Sequence, residues 1–237
     1  MAVNKTKKDK PSWMKTGKSA KDTMHKEDAA EQKRKEEQGK LWRFWMPEGN
    51  QTSITFLDGH LDDDGVLDML MYYEHQVFMN GRWTNWFVCT AEEEPCPICE
   101  GGNNRSLVGA LTVIDHTEFT TNSGEHKKDV RRLFVPKRQT IKQLQMIAAK
   151  RGGLAGATFD VMRTGDKSPG CGSVFDFTEK RSFAELKKLY PEAKDGIANY
   201  GEEITYMPAD KLRELGFGST PVGGEEASDS ASYDEDL

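Results

Sequence analysis

Four side chains between positions 75 and 99 constrain this chain more than any other feature. His75, Cys89, Cys96 and Cys99 follow the spacing H-x13-C-x6-C-P-I-C, four zinc-type ligands within 25 residues. The two-residue gap between Cys96 and Cys99 lets both thiolates converge on one tetrahedral ion, and His75 and Cys89 can reach it from two neighbouring strands. Four protein ligands leave no position for an activated water, so the predicted cofactor is a single structural Zn2+ and no metal-based catalysis is expected. A redox pair would open a helix after a strand. Here Pro95 and Pro97 flank Cys96, and Gly101-Gly102 follow Cys99, which describes a tight loop. His60, His116 and His126 are also available to complete such a set in place of His75.

Charge is distributed unevenly. Residues 1–43 hold 13 Lys or Arg against 7 Asp or Glu, whereas residues 222–237 hold 6 acids and no base. The whole chain has a formal net charge of −6, which bears on solubility and leaves room for a local basic groove. No apolar run approaches the roughly 20 residues of a membrane span, and the Lys-rich start lacks the apolar stretch of a signal peptide. Cysteines at metal spacing suit a reducing compartment, so the expected location is the cytoplasm, with no membrane partner.

The composition divides the chain into three parts. Residues 1–40 are polar and charged and form a flexible basic arm, with fair helix propensity over 19–38 but no apolar stripe. Residues 41–217 form the folded core, with a zinc subdomain around 71–105. Residues 218–237 form a disordered acidic tail. Strands are expected at 41–46, 52–57, 71–79, 82–90, 107–116, 130–135, 158–163 and 174–178. Asn80-Gly81 is the strongest turn signal and pairs 71–79 with 82–90, although His75 and Cys89 then meet only if a bulge or twist adjusts the register. A helix over 140–151 places Ile141, Leu144, Ile147 and Ala148 on one face and ends at Gly152-Gly153; shorter helices are expected at 182–190 and 209–215. The expected fold class is mainly β (α+β), an OB-like small barrel with an inserted zinc loop.

Aromatics interleaved with cations suit single-stranded nucleic acid, where base stacking contributes about 1–3 kcal/mol per base and cations follow the phosphates. The candidates are Arg43, Trp45, Arg82, Trp86, Lys127, Lys128, Arg131, Arg132, Phe134, Lys137, Arg138 and Lys142. Strict alternation along 82–90 separates Trp83 from Trp86, with Trp83 and Phe87 packed and Trp86 exposed; likewise Trp42 and Phe44 pack while Arg43 and Trp45 face out. Asp62–Asp64 read as a solvated turn, and Cys171 as a free thiol in a turn. No catalytic Ser-His-Asp order, phosphate-binding loop or dinucleotide fingerprint is present, so an enzyme is not expected.

From Trp42 to about Phe183 the chain resembles the zinc-containing, helix-destabilising single-stranded-DNA-binding proteins of T-even and related bacteriophages. The resemblance rests on T-S-I-T-F-L, on E-H-Q-V-F-M-N-G-R-W leading to Cys89 and C-P-I-C, on L-V-G-A-L-T-V-I-D, and on the basic strand and helix that follow. It implies an OB-type core, zinc ligation by His75, Cys89, Cys96 and Cys99, and coating of single-stranded DNA without sequence preference during phage replication, recombination and repair. It further implies self-association along DNA through the N-terminal arm, and recruitment of replication and recombination proteins by the tail residues Tyr233, Asp234, Glu235, Asp236 and Leu237. The alternative reading is a zinc-ribbon adaptor within a replication or transcription complex.

Overall fold

The computed structural model describes residues 15–26, 41–79, 81–121, 124–165 and 167–218; the side chains of Arg82 and Thr84 fall outside the description. The chain divides into two units, Met1–Leu41 and Trp42–Leu237. In the first, residues 18–26 are helical (α1), within the polar stretch where sequence allowed a helix. Most of the basic arm and the whole acidic tail from 219 onward, with Tyr233 to Leu237, lie outside the described residues.

The second unit is built on an antiparallel sheet of β1 (Gln51–Phe56), β2 (Leu70–Met79), β3 (Arg82–Val88), β4 (Arg105–Asp115), β7 (Val130–Phe134), β8 (Ala157–Met162) and β9 (Val174–Lys180). Its order is β3-β2-β4-β1-β8-β9, with β7 also pairing β4. The long β4 is the hub: its first half pairs with β2, while Val113 faces Phe56 of β1 and Arg132 of β7. A two-stranded ribbon, β5 (Phe119–Thr120) with β6 (His126–Lys127), stands apart from the main sheet.

Among the described residues no ladder joins β7 to β9, so the closed small barrel expected from the strand pattern is not formed. The segment 42–46, read from sequence as a strand, lies along that gap without becoming one. Phe44 donates its N–H to Leu133 O at 2.8 Å, and Met46 donates to Gly170 O at 2.9 Å, with only an isolated bridge between Arg43 and Leu133.

The sheet is covered on both faces. On one, Ile54, Phe56, Leu111, Val113, Phe134, Phe159 and Val161 meet Leu144 and Ala148 of α3 (Arg138–Arg151). Buried Thr140, Leu144 and Ala148 are spaced four apart, the stripe a helix turns toward a sheet, and Gly152 ends the helix at φ 67° and ψ 45° with its N–H returned to Ala148 O. On the other face, Leu57 and Ile114 meet Leu186 of α4 (Phe183–Leu189), Ala193 of the 3-10 turn Pro191–Asp195, and Tyr190. A third apolar cluster surrounds the cysteines and is closed by Leu212 of α5 (Ala209–Glu214), Met207 and Phe217. No helix among the described residues is long and apolar enough to cross a membrane.

Candidate metal centre and the two-faced hairpin

The β2–β3 hairpin explains how His75 and Cys89 meet. Met79 pairs with Arg82 beside the turn, but Val77 pairs with Asn85, Gln76 with Trp86 and His75 with Phe87, so the register has moved by one residue. Trp83 and Thr84 together oppose Phe78, which is a β-bulge in β3. Directly opposed residues of an antiparallel pair point to the same side, so a one-residue shift exchanges the faces of everything beyond it. Without the bulge His75 would share a side with Trp86, and Cys89 would point away. With it, His75 lies on the side of Phe87 and Cys89, whose N–H bonds Tyr73 O at 2.8 Å.

Cys96 caps and Cys99 lies within the short helix α2 (Pro97–Glu100), which brings both sulfurs under the hairpin. The ligand atoms of His75, Cys89, Cys96 and Cys99 all lie within 4.8 Å of one another, and together they can hold one metal ion. Cys89 and Cys99 sulfurs are 3.6 Å apart, and His75 Nε2 is 3.5 Å from Cys96 Sγ and 3.4 Å from Cys99 Sγ. A tetrahedral zinc with bonds of roughly 2.3 Å to sulfur and 2.0–2.1 Å to nitrogen has edges of about 3.8 and 3.6 Å, so the spacing suits a single zinc and is far too long for disulfides.

Neighbouring groups orient this set. Asn103 donates its amide N–H to Gln76 O at 3.3 Å, which turns its carbonyl oxygen toward His75 Nδ1 at 3.0 Å. The proton is thereby assigned to Nδ1, and the Nε2 lone pair faces the sulfurs. Arg105 stacks 3.9 Å from the Tyr73 ring centroid and places a guanidinium nitrogen 3.9 Å from Cys89 Sγ. Burial works to raise the Cys96 thiol, but backbone donors including the N–H groups of Cys99, Thr90 and Ile98 outweigh it and hold it near 6. Burial, with the neighbouring Cys89 and Cys96 sulfurs, pushes Cys99 up to about 12. Three thiolates repel one another in so small a space, and a cation between them reverses that balance.

The opposite side of the hairpin carries Glu74, Gln76, Phe78, Trp83 and Trp86. The bulge therefore corrects the expectation that Trp83 packs and cannot share a surface with Trp86: Trp83 is 53% exposed, with its ring 5.2 Å from that of Phe78. Arg43 lies 4.4 Å over the Trp86 ring and pairs in two-pronged fashion with Glu74 at 2.8 and 2.9 Å. Glu74 is only 3% exposed, so this pair is largely withdrawn from water. Tyr72, Val88, Leu133, Val135 and residues 203–205 complete a cleft around these groups. Lys137 reaches the same side, with Nζ 3.5 Å from Gln76 Oε1, and Arg138 and Lys142 are exposed at the start of α3.

The other sequence candidates scatter. Phe134 is a correction: it is fully buried, edge-on to Phe56 at 5.3 Å, because β7 is covered on both sides by the time it reaches Leu133 and Phe134. It cannot stack on a base. Trp42, expected to pack, is 68% exposed, and Arg43, expected to face out, is half-buried against Glu74; the expected alternation holds for Phe44, Trp45 and Met46. Arg131 and Arg132 do not form one track, since adjacent residues of a strand point opposite ways. The Arg131 guanidinium donates to Gly196 O at 3.0 Å, whereas Arg132 lies 3.7 Å from Asp115 and between the rings of Trp42 and Phe119 at 5.6 and 5.2 Å. Trp45 is exposed with Arg163 5.7 Å from its ring. Lys127 pairs with Glu125 and Lys128 with Glu118 on the β5–β6 ribbon. The Arg82 side chain is outside the description. Asp62 accepts N–H bonds from Asp64 and Val66, as an ordinary turn aspartate does, and Cys171 is a buried free thiol in the core. Sequence reasoning missed Asn103 and Arg105 and placed Trp83 on the packed side; the interleaving of Phe78 and Trp83 with Arg82 was the signal for an aromatic pair beside the turn. Comparison with known proteins finds no family model that matches the chain and no curated protein that matches it.

Proposed function

We propose that this protein is a non-enzymatic single-stranded-DNA-binding protein that coats strands without sequence preference and uses one zinc ion, held by His75, Cys89, Cys96 and Cys99, as a structural fastener. The observation that carries this reading is the two-faced hairpin. Its inner side holds the four ligands and the apolar residues Tyr73, Val77 and Phe87. Its outer side presents the exposed rings of Phe78 and Trp83 and the half-buried ring of Trp86 beside Lys137, stacking surfaces and a cation of the kind that single strands use, while Arg43 is held by Glu74. The zinc fixes strand register, and register decides which aromatics face out. The acidic residues Asp234, Glu235 and Asp236 with Tyr233 and Leu237 recruit partner proteins of replication and recombination, the basic arm supports contact between neighbours on the strand, and the site of action is the host cytoplasm.

Anisotropy of a labelled oligothymidine tests this with Trp86→Ala. Loss of one stacking ring is expected to weaken binding by about 1–3 kcal/mol, roughly 5- to 150-fold. No binding of oligothymidine by the intact chain at low salt would instead favour an adaptor that uses the metal loop to hold a protein.

A further inference from the structure

The tip of the β2–β3 hairpin has features that a uniform single-strand track does not need. Phe78 and Trp83 are 55% and 53% exposed, their centroids are 5.2 Å apart, and their planes are tilted by 46°. One ring matches one base, whereas two adjoining rings offer an apolar area closer to that of a base pair. β3 is the edge of the sheet, so among the described residues nothing pairs with its outer side.

The tip is also stiffened. The Asn85 side chain donates to Val77 O at 3.4 Å and Met79 O at 3.0 Å, bracketing Phe78 and replacing ladder bonds that the bulge removes. Gln76 donates its side-chain amide to Trp83 O at 2.8 Å, which ties the bulged strand from the other side. The base of the hairpin is held by the four metal ligands. The tip itself offers no negative charge to a phosphate: residues 75–91 contain no carboxylate, although Glu74 and Glu92–Glu94 flank them.

We propose that Phe78 and Trp83 form a stacking platform for the last base pair of a duplex, so that the protein recognises junctions between single- and double-stranded DNA. One strand then leaves the junction along the same side of the hairpin, past Gln76 to Trp86 and Arg43, about two residues or 6.6 Å of strand further in. This inference rests on the single-strand reading.

The test compares three labelled DNAs by anisotropy: an oligothymidine, the same oligothymidine joined to a duplex, and the duplex alone. The intact chain is expected to bind the tailed duplex about tenfold more tightly than the tail alone, the gain of one stacking contact. The double variant Phe78→Ala/Trp83→Ala keeps its metal stoichiometry and weakens on oligothymidine by the stacking those rings give a single strand, but its roughly tenfold preference for the tailed duplex over the tail is lost. Trp83→Phe keeps most of it. Equal affinity of the intact chain for tail and tailed duplex overturns the platform while leaving the single-strand reading standing. So does a double variant that retains the preference, or one weakened equally on all three DNAs. If equal affinity is accompanied by self-association that the same substitutions abolish, the tip belongs to a protein contact. Failure of the intact chain to bind oligothymidine removes both readings.

Discussion

Asp58 ties the C-terminal segment to the sheet in a way that makes stability depend on pH. Its carboxylate accepts the Thr112 N–H at 2.9 Å and the Tyr200 hydroxyl, while Thr112 Oγ1 lies 2.9 Å from the Tyr200 oxygen and accepts the Ala198 N–H at 3.0 Å. Burial is the largest influence and raises Asp58 from its ordinary 3.8 to about 6; the bonds from Tyr200 and Thr112 oppose it, and the charge of Asp68 adds to it. A raised carboxylate means that the folded chain holds a proton which the unfolded chain has released. Stability from this group is therefore complete below pH 3.8 and falls as pH rises through about 6. At about 1.4 kcal/mol per pH unit the fall amounts to about 3 kcal/mol. Asp58→Asn keeps an acceptor for Thr112, and its NH2 can donate to Tyr200, so the variant should lack this fall. Urea unfolding of both proteins between pH 4 and pH 7.5 measures it as the difference in unfolding free energy, which removes the contribution of every other carboxylate. Curves that run parallel across that range would refute the assignment. Tyr200→Phe, which removes a donor to the charged form, should carry the fall to higher pH.

Three further outcomes follow from local geometry. Asn103→Ala frees the His75 ring and should weaken metal binding about 10- to 100-fold in competition with a chromophoric chelator, with the metal stoichiometry unchanged at saturation. Arg43→Ala strands Glu74 as a buried, unpaired charge and should cost about 3–5 kcal/mol in chemical denaturation, most of it recovered when Glu74→Gln is added. Gly156 has φ 82°, and a Cβ there would sit 2.1 Å from Arg181 O, so Gly156→Ala should lose at least ~1–2 kcal/mol from the left-handed backbone alone, with the steric overlap adding to it.

The hairpin shows where sequence reasoning succeeds and where it stops. Ligand spacing and the Asn80-Gly81 turn are local signals, and they single out His75, Cys89, Cys96 and Cys99, but it takes the bulge to put His75 and Cys89 on one side. The bulge is not local in that sense. It depends on the Asn85 amide reaching across to Val77 and Met79, and a strict period of two assigns Trp83 to the wrong side as soon as one residue is added. Most strands were legible from alternation or apolar runs, but segment 42–46 and Phe134 were not, because their environment is set by chain that arrives from elsewhere: Leu133 and Gly170 for the first, the ring of Phe56 for the second. The cover over the second sheet face was legible only as scattered short helices, since Leu186, Tyr190 and Ala193 share no single period.

On the proposed function, the metal-fastened hairpin presents aromatics and cations to single strands. Tryptophan fluorescence during titration with oligothymidine and with a duplex of equal length, repeated at several salt concentrations, tests it most directly. Quenching by the single strand with little response to duplex, and a log–log salt slope near −0.7 per phosphate contact, is the predicted result. No change in fluorescence with the single strand at low salt would contradict it.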